Sequence, residues 1–155
     1  MKVGIGQDSH RFDFDNKDKK LVLGGIVFEN EPALKGNSDS DVVLHAIANA
    51  ISGVTCINVL GKVTDKMCAA GITDSREYVR EAGKYLGDYE IEHLSISIEC
   101  KLPKIAPRVE DMRKNIARIL EIDECQVGIT ATSGEGLTDF GRGEGISVFC
   151  IITVE

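Results

Sequence analysis

The sequence predicts an α+β fold, a single mixed β-sheet with its helices packed on one face. Three observations carry that prediction. "YEIEHLSISIECK" (Tyr89 to Lys101) alternates apolar and polar residues, with Ile91, Leu94, Ile96 and Ile98 on one side of a strand. "RVEDMRKNIARILEI" (Arg108 to Ile122) repeats apolar residues at helical spacing, turning Val109, Met112, Ile116, Ile119 and Leu120 inward. Segments of both kinds follow one another as β-β-α-(α)-α-β-α-β-β over 155 residues, a length that suits one domain, residues 1–155, around one core.

The remaining elements follow in order. Val3 to Gln7 and "KLVLGGIVF" (Lys20 to Phe28) read as strands separated by the polar "DFDNKDK". "EPALKGNSDSD" is loop-like in its Pro, Gly, Asn and Ser content. In "SDSDVVLHAIANAISG", Ser38 followed three residues later by Asp41 reads as a capping box, and Gly53 stands where that helix should end. "VTCINVLGKVTDKMCAAG" lacks a clean period and is read as partly helical. Asp74 caps "SREYVREAGKYLG", with Tyr78, Ala82 and Tyr85 near one face. "QVGITATS" and "GISVFCIITVE" are strands on either side of a glycine-rich loop.

Composition excludes several function classes. Eighteen basic against 25 acidic residues leave a net charge of −7, which argues against a nucleic-acid-binding surface but leaves room for a local phosphate site. No apolar run is long enough to span a bilayer, and "MKVGIGQDSHRF" lacks a signal-peptide core. Five scattered cysteines, odd in number and without a C-x-x-C pair, suit buried apolar positions in a reducing compartment. The expected setting is the cytoplasm.

Asp8 and His10 lie two apart at the end of the first strand, so alternation puts both side chains on one face. His45, four residues after Asp41 in the first helix, is the obvious third donor, whereas His93 has no comparable acidic setting. An aspartate with two histidines is an open set that suits catalytic Zn²⁺ with a vacant fourth position, and Mn²⁺ or Fe²⁺ could use the same ligands. The competing reading makes Asp8 a turn cap and His45 an ordinary half-buried histidine. The second cluster is "TATSGEGLTDFGRGEG" (Thr130 to Gly145), whose glycines permit close backbone approach to a ligand. Thr132 and Ser133 supply hydroxyls, and Arg142 supplies a fork suited to phosphate oxygens. Glu135 makes sense beside phosphates if a hard cation such as Mg²⁺ lies between them. The competing reading is a flexible surface loop. "KLPKIAP" (Lys101 to Pro107) is a proline-stiffened connector whose backbone could read a base edge.

The ordered set D-x-H-R-F, L-x-L-G-G, S-D-x-D-V-x-x-H-A, P-K-x-x-P and F-G-R-G-E-G-I, running from Gly4 to about Gly145, resembles the 2-C-methyl-D-erythritol 2,4-cyclodiphosphate synthase family. The resemblance implies a homotrimer with active sites at subunit interfaces. It also implies conversion of 4-diphosphocytidyl-2-C-methyl-D-erythritol 2-phosphate to the cyclic diphosphate with release of CMP, in non-mevalonate isoprenoid biosynthesis. Asp8, His10 and His45 match the family's zinc ligands, and Glu135 matches the residue holding the Mg²⁺ or Mn²⁺ on the substrate diphosphate. Ser9, Asn37 and Ser38 fall in the segments around the substrate phosphate. Thr132 and Ser133 match a hydroxyl pair near the diphosphate, Lys104, Ile105 and Ala106 match the cytosine loop, and Arg142 lies in the F-G-R-G-E-G signature. Ser133 and Glu135 are the residues expected to act most directly in catalysis.

The chain departs from the family pattern in four places. Asn37 stands where the family usually has histidine, and Ser133 replaces the second of two threonines. "INVLGKVTDKM" replaces G-D-I-G…F-P-D-T-D, leaving Asp65 as an approximate counterpart of the acid that meets the ribose. Asp139 and Phe140 differ from the usual F-T. Two other functions remain open on these grounds: a non-catalytic trimer binding a phosphorylated isoprenoid or nucleotide, and a divergent lyase acting on another nucleotide diphosphate.

Overall fold

The computed structural model describes all of residues 1–155. A five-stranded mixed sheet has the order β4-β1-β7-β5-β6. Its members are β1 (Lys2–Asp13), β4 (Ala33–Leu34), β5 (Ile91–Glu99), β6 (Val127–Thr132) and β7 (Gly145–Val154). Antiparallel pairing joins β7 to both β1 and β5, and β5 runs parallel to β6. Four helices complete the chain: α1 (Val42–Thr55), α2 (Lys62–Ala69), α3 (Ser75–Gly83) and α4 (Val109–Leu120).

Alternation along the central strands sorts the sheet into two faces. Leu94, Ile96 and Ile98 of β5 and Ile146, Val148, Cys150, Ile152 and Val154 of β7 are buried beneath the helices, in one core of 34 buried residues. The other face is open. Val3 and Ile5, each 63% exposed, and Phe149 and Ile151, 49% and 45% exposed, form an apolar patch there, with Ile5 directly opposite Ile151.

Helix α1 is the centre of the structure, and ten of its 14 residues are buried. It reaches β1 closely because the inward positions of that strand are glycines. A Cβ on Gly6 would lie 2.1 Å from the Ala46 carbonyl oxygen, and one on Gly4 would lie 2.3 Å from that of Ala50. Only a glycine strand facing alanines lets the two backbones meet this way.

Several boundaries differ from the sequence expectation. β1 runs through "DSHRFD" instead of stopping at Gln7, because β7 pairs with it as far as Arg11. Lys20 to Phe28 is a hairpin, β2 (Leu21–Leu23) and β3 (Ile26–Phe28), turned by Gly24 and Gly25 at φ of 60° and 75°. Ser38 is not the cap of α1. Asp41 is, accepting from the Val43 and Leu44 amides, and its carboxylate also accepts from Gly24 and Gly25, which ties the hairpin to the helix. Burial, and the nearby charge of Asp39, push the Asp41 pKa up to about 7 against the pull of those amides. Nor does Gly53 end the helix, which continues to Thr55; a Cβ there would come within 3.3 Å of the Ile5 carbonyl oxygen, so its smallness again serves close packing. Ala33 and Leu34, expected in a loop, add a short edge strand beside Phe12 and Asp13.

Candidate active site

The close seat of α1 on β1 decides the site. Because Gly6 lies under Ala46, the next helix residue, His45, comes down over the next inward positions of the strand, Asp8 and His10. Asp8 Oδ2 lies 3.0 Å from both His10 Nε2 and His45 Nδ1, and the two ring nitrogens are 3.4 Å apart. A tetrahedral centre with bonds of about 2.0 Å has donor–donor edges of about 3.3 Å, so these three atoms stand where one small cation would hold them. They are the one group of His, Cys, Asp and Glu side chains in the chain arranged for this. Ser9, between them, faces the opposite side of the sheet.

The surroundings favour metal-ready tautomers. His10 Nδ1 is 2.7 Å from the Lys35 carbonyl oxygen, which can only accept, so Nδ1 carries the proton and Nε2 is bare toward Asp8. His45 Nε2 is 2.8 Å from the hydroxyl of buried Ser75. Burial alone would raise the Asp8 pKa, but hydrogen bonds and charge from His10 and His45 bring it down to about 2. A second proton, on Nε2, would donate to Asp8, and that hydrogen bond raises the His10 pKa. An anionic carboxylate between two imidazoles is a donor set suited to a divalent ion.

His10 and His45 open into a cleft of about 280 Å³ that is also lined by Asn37, Ser38, Asp65 and Cys68. Asn37 and Ser38 therefore lie beside His10 and His45. Asp65, which the sequence offered only as an approximate counterpart of an acid near the substrate, enters the same space on the short α2. Tyr78 also lines the cleft, and its hydroxyl donates to the Ile72 carbonyl at 2.6 Å. Ser75, read in sequence only as part of an amphipathic helix, was missed as a partner of His45; its place directly after the cap residue Asp74 carried no signal.

The second set of expected residues gathers elsewhere. Lys104, Ile105, Ala106, Thr132 and Ser133 line a separate cleft of about 260 Å³ at the ends of β5 and β6. Two larger open clefts, of about 560 and 720 Å³, contain none of the expected site residues. The Thr132 hydroxyl accepts from the Gly134 amide at 3.0 Å, and the Ser133 hydroxyl accepts from the Glu135 amide at 3.4 Å. These bonds leave each hydroxyl proton available to a ligand. Glu135 holds a left-handed φ of 53° between Gly134 and Gly136, at 62° and 69°, which presents its carboxylate from a tight turn. Arg142 closes the same loop on itself through the Gly136 carbonyl at 3.1 Å and Asp139 at 2.6 Å.

The structure thus brings Asp8, His10 and His45 together but does not bring Glu135 to them. Asp8 pairs with Val148, Val148 with Ile98 and Ile98 with Ala131. Three strand spacings, about 14 Å in all, therefore separate the metal triad from the hydroxyl loop.

The fold is thus a mixed sheet with three side chains at one end that could hold a metal ion and a hydroxyl- and glycine-rich loop on its far strand. A model of the YgbB family matches residues 1–155, and the chain belongs to that family. The 2-C-methyl-D-erythritol 2,4-cyclodiphosphate synthase of Chlamydia caviae is 51% identical over 155 residues, covering 99% of this chain and 88% of that protein. The protein of the same name from Chlamydia muridarum is 52% identical, over 99% and 87%. Among solved structures, the CDP complex of IspF from Plasmodium falciparum superposes with a TM-score of 0.85 at 27% identity, covering 99% of this chain and 94% of that one. The bifunctional IspDF from Campylobacter jejuni gives 0.86 at 27% identity, over 98% and 41%. No helix is long and apolar enough to cross a membrane.

Proposed function

We propose that this chain converts 4-diphosphocytidyl-2-C-methyl-D-erythritol 2-phosphate into 2-C-methyl-D-erythritol 2,4-cyclodiphosphate and CMP, as a phosphorus–oxygen lyase of isoprenoid biosynthesis. The observation that carries the reading is the triad of Asp8, His10 and His45, with donor spacings of 3.0, 3.0 and 3.4 Å, in a chain so close to synthases over its whole length. In the reaction, an oxygen of the substrate's own 2-phosphate bonds to the outer phosphorus of the diphosphate. The bond from that phosphorus to the CMP oxygen breaks, and no water enters. The chain needs no nucleophile of its own. Its work is to hold two anionic groups in line and to offset their charge.

Asp8, His10 and His45 hold Zn²⁺, with Mn²⁺ as the alternative, and Glu135 takes the Mg²⁺ or Mn²⁺ that accompanies the diphosphate. Bound there, the cations neutralise phosphate oxygens and stabilise the charge of the transition state. Asn37 and Ser38 serve the phosphate end, and Thr132 and Ser133 donate hydroxyl protons to the diphosphate. Arg142 keeps the glycine-rich loop in shape and faces the phosphates. The backbone of Lys104, Ile105 and Ala106 reads the cytosine edge. Asn37 can donate a hydrogen bond there but carries no charge.

A homotrimer completes the assignment. The roughly 14 Å across three strands puts the metal triad and the hydroxyl loop of one chain too far apart to grip one diphosphate. A neighbouring copy brings its loop to the triad instead. Val3, Ile5, Phe149 and Ile151 on the open sheet face supply an apolar surface for that contact. Residues 1–155 then act as one catalytic domain. Five free cysteines suit the reducing cytoplasm.

The test is to incubate the purified chain, Zn²⁺ and Mg²⁺ with the cytidine-linked substrate and follow CMP and the cyclic diphosphate by mass spectrometry. Equimolar formation of the two supports the reading. Zinc bound with no CMP released overturns it, and moves the assignment to another nucleotide diphosphate or to a binding protein.

A further inference from the structure

We propose that Ser75 and Asp39 are positioning residues that fix the proton of His45 on Nε2, and so hold Nδ1 ready for metal. The inference rests on the reading of Asp8, His10 and His45 as metal ligands. It concerns how this chain prepares one of them.

The Asp39 carboxylate accepts from three N–H or O–H groups around it. Oδ2 accepts from the Ser75 amide at 2.9 Å, while Oδ1 accepts from the Asp41 amide at 3.0 Å and from the Ser75 hydroxyl in a short hydrogen bond. A carboxylate can only accept, so the single hydroxyl proton of Ser75 goes to Asp39. The lone pairs of that hydroxyl remain for His45, whose Nε2 lies 2.8 Å away. That side of the ring therefore calls for the proton on Nε2; on the other side Asp8 Oδ2, 3.0 Å from Nδ1, is the competing acceptor, and a cation held by the triad would take that carboxylate and leave the proton on Nε2.

The arrangement has little freedom to reverse. Ser75 is fully buried at the first position of α3, next to the Asp74 cap. The Asp39 amide donates to the Thr73 carbonyl at 2.9 Å, which locks the two segments together. Ser75 is the hydrogen-bond partner of His45 Nε2, so only Asp8, at the other ring nitrogen, competes for the proton. The two histidines are thus set by different means. His10 is held by a main-chain carbonyl, that of Lys35, which no substitution deletes. His45 depends on two side chains, either of which can be changed.

Ser75→Ala removes the acceptor with little change of size or helix propensity, and Ser75→Thr restores the hydroxyl. Asp39→Asn keeps the shape but turns an N–H toward Ser75, which then passes its own proton to His45 and moves the imidazole proton to Nδ1. Loss of a hydrogen-bond partner behind a metal-bound histidine weakens binding by about 10–100-fold. Zinc affinity, measured by chelator competition, should fall by that factor in Ser75→Ala and Asp39→Asn and stay near the parental value in Ser75→Thr. The second readout is the ¹⁵N spectrum of the imidazoles in metal-free protein at about pH 8.5, roughly two units above the ordinary imidazole value. His45 should show Nε2–H in the parent and in Ser75→Thr, and a shift toward Nδ1–H in the other two. His10 should keep Nδ1–H in all four. Parental affinity and an unchanged His45 tautomer in Ser75→Ala would overturn the proposal, as would Nδ1–H on His45 in the parent. A parent that shows Nε2–H on His45 but binds no zinc sinks the ligand reading and leaves the proton order supported.

Discussion

The dependence of the metal triad on a glycine contact can be tested by Gly6→Ala. A methyl group on Gly6 would start 2.1 Å from the Ala46 carbonyl oxygen and 2.3 Å from the Ala50 amide nitrogen. Both are backbone atoms, so no side-chain rotation relieves the clash. Ordinary contact begins at 3.4 Å, so α1 and β1 must part locally by 1.3 Å. The strand residue two positions on is Asp8, and the helix residue beside the clash is His45, so the separation opens the triad between its two halves. Metal–ligand distances tolerate about 0.2 Å, and a displacement of about 1 Å near a reacting centre costs on the order of 10²-fold in rate. Zinc affinity and turnover should both fall by about that factor, alongside an overpacking cost of about 1–3 kcal/mol in stability. Gly4→Ala is the control. Its Cβ meets Ala50 and Val54, one turn farther along the helix from His45, at 2.3 and 2.7 Å. It should destabilise the fold comparably in a denaturant titration while sparing zinc affinity more. If Gly6→Ala binds zinc and turns over at parental levels, or if the two variants lose zinc equally, the close seat of the helix is not what places His45.

Three further outcomes follow from the same geometry. Asp8→Asn and His45→Ala should lose bound zinc and turnover together, and a variant that keeps full zinc by elemental analysis would refute the ligand assignment. Asp41→Ala removes both a helix cap, worth about 1 kcal/mol, and the acceptor for the buried Gly24 and half-buried Gly25 amides, worth about 1–3 kcal/mol; a denaturant titration should show a loss of about 2–4 kcal/mol, and under 1 kcal/mol would show those amides finding other partners. Burial pushes the Cys100 thiol up to about 11 and the Cys150 thiol up to about 12, so a thiol reagent near pH 8 should label exposed Cys56 and Cys125 first and reach Cys100 and Cys150 only on unfolding.

Much of this molecule is written in local pattern, and the remainder depends on pairing across the sheet. The strand Ile91–Glu99 and the helix Val109–Leu120 each bury one face, so periodicity locates them from neighbouring residues alone. Asp74 is read as a cap because the cap bond is local, to the Arg76 amide at 3.0 Å. Asp41 is harder, since two of its four bonds reach a hairpin 16 and 17 residues away. The extent of β1 was invisible for the same reason: its last residues are extended because β7, far along the chain, pairs with them. At the site, D-x-H is legible because strand alternation is a period of two, and His45 is legible as a helical donor. Ser75 and Asp39 are not, because the link between them exists only once residues 36 positions apart meet.

The two halves of the site also differ in what supports them, and the difference follows their tasks. Asp8 and His10 stand on a strand hydrogen-bonded along its length, and His45 stands on the most buried helix. A metal centre needs donors held to a fraction of an ångström, and regular elements over a packed core hold them that way. Glu135, Thr132, Ser133 and Lys104 stand at strand ends and in turns, where left-handed residues and short local bonds set the shape. Loops of this kind accept changes of side chain without disturbing the core. The positions where the chain departs from the family pattern fall in segments of that second kind: Asn37 before α1, the stretch around Asp65 on a short helix with one buried residue, and Asp139 and Phe140 in the glycine-rich loop. Asp8, His10 and His45 are retained. On the proposed reading, changes confined to the adaptable parts alter how the ligand is gripped and leave in place the three candidate donors, so the departures weigh on nucleotide recognition more than on chemistry.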